Sequence, residues 1–136
     1  MSYGKHLMLM ISDVENIERL NDEESIKNFL VELVDRIKMR VLVQPAVGYE
    51  DGDITNVGYS GVVILYESHI AVHVYSGLKK VFLDVFSCKD YDEKEVYKFI
   101  AEKVGKFKIE EQTVLNRGRH WEADIEREMK MWREQR

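Results

Sequence analysis

The chain has 136 residues, 45% of them hydrophobic, which is the size of one compact domain with a true buried core, so a single domain over residues 1–136 is expected. A net charge of -5 argues against a nucleic-acid or anionic-membrane surface, because both reward clustered Lys and Arg, and it suits a small cationic ligand better. The single cysteine, Cys88, excludes an internal disulfide framework, and the opening MSYGKHLMLM turns polar too soon for a signal peptide or a spanning helix, so a cytoplasmic location is expected.

In chain order, Lys5 to Ser12 is an apolar run of strand length that ends in the polar SDVEN. Asn21 can cap a helix with Glu24 as its capping-box partner, and Ile26, Phe29, Leu30, Leu33, Val34 and Ile37 then recur on one helical face. Arg40 to Val47 returns to β-branched composition, with Pro45 pushing that strand toward an edge or an early end. The loop GYEDGDITNVG follows, dense in Gly, Asn and Asp and carrying the carboxylates Glu50, Asp51 and Asp53. Tyr59 to Tyr66, His69 to Ser76 and Lys80 to Cys88 read as three strands at the centre of an antiparallel sheet, with Glu67-Ser68-His69 as a polar break. Asp92 opens a second helix with Glu95 at capping-box spacing, Val96, Phe99, Ile100 and Val104 form its stripe, and Gly105 stops it. Phe107 to Leu115 is the last strand, and the charged tail from Trp121 shows only Ile125, Met129 and Trp132 at helical spacing. The order β-α-β-β-β-β-α-β predicts an α+β fold, a two-layer sandwich of an antiparallel sheet with helices on one face.

Ser68, His73 and Cys88 put a hydroxyl, an imidazole and a thiol on neighbouring strands. Each has an ordinary explanation as a turn residue, a half-buried strand histidine and a small buried hydrophobe. A Ser-His-acid hydrolase is disfavoured because no G-x-S-x-G elbow leads into a helix. A metal site on His69 and His73 lacks a completing ligand set, so no metal is expected.

The run SGVVILYESHIAVH, followed by LDVFSC and preceded near the start by GKHL, resembles the prokaryotic S-adenosylmethionine decarboxylase family, whose members are pyruvoyl-dependent and self-processing. The likeness is densest over residues 58–92, where a histidine follows the serine of Glu-Ser-His by five positions and a cysteine follows it by twenty. It implies that the chain is cleaved between Glu67 and Ser68 into chains 1–67 and 68–136. Ser68 attacks the Glu67 carbonyl, Ser60 hydrogen-bonds that carbonyl oxygen, and His73 is the processing base. Ser68 then becomes a covalent pyruvoyl cofactor, which forms a Schiff base with a substrate amine and acts as electron sink, while Cys88 is the proton donor. Ser68 and His73 are an odd number of residues apart, so a turn or bulge at the break is required. The resemblance also implies a homodimer or higher homo-oligomer, with sites near the interface covering the open sheet face.

The substrate-reading positions depart from the family pattern. Ile54 stands where an adenine-stacking aromatic is usual, Val74-Tyr75-Ser76-Gly77 replaces a segment with a ribose-holding acid, and Met10 occupies a usually acidic place. Glu50, Asp51 and Asp53 can meet a guanidinium or ammonium group, which points to L-arginine or L-ornithine as substrate within polyamine supply, with Tyr75 beside them. The alternative is S-adenosylmethionine itself, with Tyr49, Tyr59 or Tyr75 taking over the stacking. A reading from another class is a non-catalytic homologue that regulates an active subunit.

Overall fold

The computed structural model describes residues 4–52 and 54–117, together with residues 127, 130, 131 and 134. Asp53 and the tail positions Trp121, Ile125, Met129 and Trp132 lie outside the described residues. The elements are β1 (Gly4–Ser12), α1 (Glu23–Arg36), β2 (Val41–Glu50), β3 (Gly58–Leu65), β4 (Ser68–Tyr75), β5 (Lys80–Ser87), α2 (Glu93–Val104) and β6 (Lys108–Arg117), with short 3-10 turns between some of them. The order is the expected one. All six strands form one antiparallel sheet in the spatial order β2-β3-β4-β5-β1-β6.

Alternation along each strand sends one set of side chains toward the helices and the other to the opposite face. Leu7, Leu9, Ile11, Val63, Leu65, Ile70, Val72, Leu83 and Val85 meet Ile26, Phe29, Leu30, Leu33, Phe99 and Ile100 in a single buried cluster. The two helices meet at Phe29 and Phe99, whose ring centroids are 5.1 Å apart. Glycine at position 61 lets α1 sit on the sheet, since a Cβ there would come within 2.7 Å of Ile26 Cγ2 and 3.0 Å of Leu30 Cδ1.

Two helix caps are corrected, and β2 lies at the sheet edge as Pro45 suggests but ends later than expected. The cap of α1 is Asp22, whose carboxylate accepts the Ser25 backbone N–H at 2.7 Å; Asn21 instead closes the preceding 3-10 turn, Ile17–Leu20. That turn uses up one residue and moves the helix start along by one. At α2 the Asp92 side chain accepts from Lys94 N–H, and the expected Glu95 reciprocation is not what caps it. Strand β2 runs past Pro45 to Glu50, because it is an edge strand and its register shifts between Val43 and Ala46, where the missing N–H is harmless.

The face away from the helices carries cross-strand rows set by the register. One reads Ile64, His69, Phe86, His6, Leu115; the next Val62, Ala71, Asp84, Met8, Thr113; the third Ser60, His73, Phe82, Met10, Glu111. Val62, Ile64, Phe82 and Leu115 on it are 39–48% exposed. Among the described residues no helix is long and apolar enough to cross a membrane.

Candidate active site

The break between β3 and β4 is shorter than the sequence suggests. Only Tyr66 and Glu67 lie outside the strands, and Ser68 and His69 already belong to β4. Ser68 has φ of 151°, a region that is essentially glycine's and is strained for a serine. The bend demanded by the Ser68 to His73 spacing is therefore present, concentrated at Ser68 itself. The peptide bond before it is held from two sides. Cys88 donates its backbone N–H to the Glu67 carbonyl oxygen at 2.9 Å. The Glu67 side chain is buried and accepts from Arg40 twice, from the backbone N–H at 3.1 Å and from Nε at 3.2 Å. Burial by itself pushes this carboxyl up, but the Arg40 hydrogen bonds and charge outweigh it and hold the group below the usual carboxylate range.

Tyr91 fixes the chain just past Cys88. Its buried hydroxyl accepts the Leu7 N–H at 3.2 Å and donates to the Val85 carbonyl at 2.8 Å, so it bridges two residues paired across β1 and β5. Burial raises its pKa far above the ordinary phenol value. Lys5 lies over the Tyr91 ring, 4.4 Å from its centroid, and pairs with Asp90 at 2.9 Å. Cys88 itself is free and exposed.

Ser60 and His73 form a second group. They are register partners, and Ser60 Oγ lies 2.8 Å from His73 Nδ1, at an open groove bordered by Ala46, Gly48, Val62 and Ala71. The expectation that His73 stands beside Ser68 in the same chain is not met. Strand β4 runs unbroken from Ser68 to Tyr75, so the five steps from Ser68 to His73 span roughly 16 Å at about 3.3 Å per residue. One chain thus holds two half-sites, Glu67-Ser68-Cys88 at one end of the sheet face and Ser60-His73 further along.

Glu50 of the acidic loop lies far from the Glu67-Ser68-Cys88 half-site but near the Ser60-His73 one, two residues along β2 from Gly48, the register partner of Ser60. Glu50 pairs with Gly58, at the end of β3 away from the Tyr66-Glu67 turn, roughly 23 Å along the strand by the same spacing. Glu50 is exposed and its carboxylate accepts the Gly52 N–H at 2.9 Å, which makes it a loop-closing residue; Asp51 is exposed too. Among the tyrosines, Tyr49 and Tyr59 stack on each other at 4.7 Å, and Tyr59 packs against the helix-side core. Tyr75 alternates with His73 onto the open face and meets Phe82 edge-on, 5.7 Å between centroids. Among the described residues no group of three or more His, Cys, Asp or Glu is placed to hold a metal.

Sequence reasoning missed Arg40, Tyr91 and the placement of His6. Arg40 and Glu67 are 27 positions apart, and nothing local marks them as partners. His6 stands edge-on to His69, 6.4 Å between ring centroids, and its Nε2 is buried with no hydrogen-bond partner. Burial lowers its pKa; Asp84 opposes this, while Arg117 and His69 add to it. Its signal was the GKHL motif, which carried the resemblance but said nothing about neighbours.

Residues 5–118 match the sequence model of S-adenosylmethionine decarboxylase. The chain belongs to this family. Among its relatives, the S-adenosylmethionine decarboxylase proenzyme of Archaeoglobus fulgidus is 30% identical over 121 residues, covering 87% of this chain and all of that one. That of Thermodesulfovibrio yellowstonii is 30% identical over 93 residues, 68% of this chain and 64% of the relative, so the match spans a little under two thirds of that protein. The crystal structure of the adenosylmethionine decarboxylase from Aquifex aeolicus shares the fold, with a TM-score of 0.72 at 20% identity over 90% of this chain and 97% of that one. The S-adenosylmethionine decarboxylase family is one of pyruvoyl-dependent carboxy-lyases made as proenzymes, and in this chain Glu67, Ser68 and Cys88 lie together at the β3–β4 turn.

Proposed function

We propose that this chain is a self-processing, pyruvoyl-dependent S-adenosylmethionine decarboxylase that acts as a homodimer, each copy completing the other's site. The observation that carries the reading is the Glu67-Ser68 peptide: a strained serine follows a carbonyl whose oxygen is already held by the Cys88 N–H. That donor can stabilise the oxyanion formed when Ser68 Oγ adds to the Glu67 carbonyl carbon. The C–O bond forms, the C–N bond breaks and the hydroxyl proton passes to nitrogen, leaving an ester. A base then removes the Ser68 Cα proton and the Cβ–Oγ bond breaks, releasing the main-chain carboxylate of Glu67 as the new C-terminus, after which water releases ammonia from position 68 and leaves the ketone.

The base is supplied in trans. His73 lies too far along its own β4 to reach its own Ser68, but a second copy laid by a two-fold axis on the apolar open face can present its Ser60-His73 pair there. The residues fit a pyruvoyl group, since position 68 opens a strand and the exposed Cys88 follows Ser87, the register partner of Ser68. Once formed, the group supplies an electrophilic ketone and an electron sink for loss of carbon dioxide. Cys88 Sγ delivers the proton that the substrate carbon then needs.

The expectation of arginine or ornithine as substrate gives way to S-adenosylmethionine. Its support was the acidic loop together with the departures at Ile54, Val74-Tyr75-Ser76-Gly77 and Met10, but Glu50 is turned onto the Gly52 N–H, and the relatives are named for S-adenosylmethionine. Tyr75 on Phe82, beside His73 on the open face, offers the aromatic surface that Ile54, 88% exposed on a turn, does not.

Intact-mass analysis should find chains 1–67 and 68–136, the second carrying pyruvoyl; an uncut chain would favour the regulatory reading instead. Carbon dioxide release should occur with S-adenosylmethionine and not with arginine, ornithine or lysine. Ser68→Ala and His73→Ala chains should each stay uncut alone, yet the His73→Ala chain should be cut when the two are co-folded. Absence of that complementation would return the base to the same chain.

A further inference from the structure

We propose that Arg40 is a positioning residue for self-cleavage, gripping both residues of the β3–β4 turn and so holding the Glu67-Ser68 peptide in its strained geometry. The inference rests on the self-cleavage reading above and concerns a residue outside the Ser60, Ser68, His73 and Cys88 set. Arg40 makes four contacts with the two-residue turn. Its carbonyl accepts the Tyr66 N–H at 3.1 Å, its guanidinium carbon stacks 4.7 Å above the Tyr66 ring, and its N–H and Nε hold the two oxygens of Glu67. The two side chains differ in exposure: that of Arg40 is 72% exposed, that of Glu67 only 8%. Arg40 therefore adds little to the core, and its side chain serves as the solvent-side counter-charge of a buried carboxylate.

Without the guanidinium, the Glu67 carboxylate keeps only the backbone N–H groups of Arg40 and of Glu67 itself, and no opposite charge, against the cost of burial, and it swings toward water or takes up a proton. Either movement rotates Glu67, and the peptide it shares with Ser68 follows. The Cys88 N–H holds one carbonyl oxygen and cannot by itself keep Ser68 at a φ that only its surroundings enforce. Relaxation there carries the Ser68 hydroxyl away from the carbonyl it must attack, so the loss falls on the rate of cutting more than on the stability of the fold.

The test follows conversion of freshly synthesised full-length chain to its two fragments by mass spectrometry, for wild type, Arg40→Lys, Arg40→Gln and Arg40→Ala. Thermal midpoints are read in parallel in a Ser68→Ala background, which remains uncut. Arg40→Gln and Arg40→Ala should cut about tenfold more slowly or worse, with Arg40→Lys in between. Millimolar guanidinium ion should speed the Arg40→Ala chain and leave wild type unchanged. Variants that cut at the wild-type rate, or that slow without any response to guanidinium, would overturn the role given to Arg40 while leaving self-cleavage intact. A wild-type chain that never cuts would overturn both.

Discussion

Cys88 presents two separate groups beside the Glu67-Ser68 peptide. Its backbone N–H holds the Glu67 carbonyl, while its thiol stands free. Cys88→Ala keeps the first and removes the second, so it should cut itself at close to the wild-type rate yet release carbon dioxide at least about tenfold more slowly. Fragment formation and turnover, measured on the same preparation, check this. Glu67 makes a different prediction. Its carboxyl is depressed in the fold, so the stabilisation it contributes is fully present above the ordinary carboxylate range and is lost as pH falls through the lowered value. In uncut Ser68→Ala chains, thermal midpoints followed from about pH 7 to about pH 3 should fall less steeply for Glu67→Gln than for Glu67. Identical acid limbs would show that the carboxylate contributes nothing. Ser68 and Cys88 were legible as candidates because motif and spacing are local facts. Arg40 was not, since its partnership exists only where the start of β2 passes the β3–β4 turn.

At the scale of elements, periodicity found α1, α2 and the strands β1 to β6, because burying one stripe or one alternating face is what the apolar residues of each segment can do. The boundaries moved where neighbouring structure intervened, as at Asp22 behind its 3-10 turn and at Pro45 on an edge strand. The contact of α1 with β3 depends on the bare backbone at Gly61, which meets Ile26, Leu30 and Val47. Gly61→Ala should destabilise the chain by about 1–3 kcal/mol through overpacking. Urea denaturation of the uncut Ser68→Ala form gives the measurement, and an unchanged midpoint would mean that α1 shifts freely on the sheet.

Across the whole molecule, the sheet is covered by helices on one side and bears exposed apolar side chains on the other, in the same rows that hold His6, His69, His73 and Ser60. Covering that face with a second copy removes apolar area from water and, on the reading above, joins the two half-sites. Val62→Arg puts a charge at the middle of the face, where Val62 is 40% exposed and borders the Ser60-His73 groove. It should yield a folded monomer by light scattering that neither cuts nor decarboxylates. A Val62→Arg monomer that still cuts would refute assembly as a condition for processing.

The sequence alone determined the order of elements, a strand break that includes Glu67, and Ser68, His73 and Cys88 as the candidate hydroxyl, imidazole and thiol, because each depends on residues close along the chain. Only the tertiary structure decided which of these groups meet. The tertiary fold paired Ser60 with His73 and set both apart from Ser68, brought Arg40 and Cys88 to the Glu67-Ser68 peptide, and left Glu50 at the end of β3 away from that peptide. Alternation says which face of a strand a residue takes; its neighbours on that face depend on how distant segments align, and no local pattern carries that.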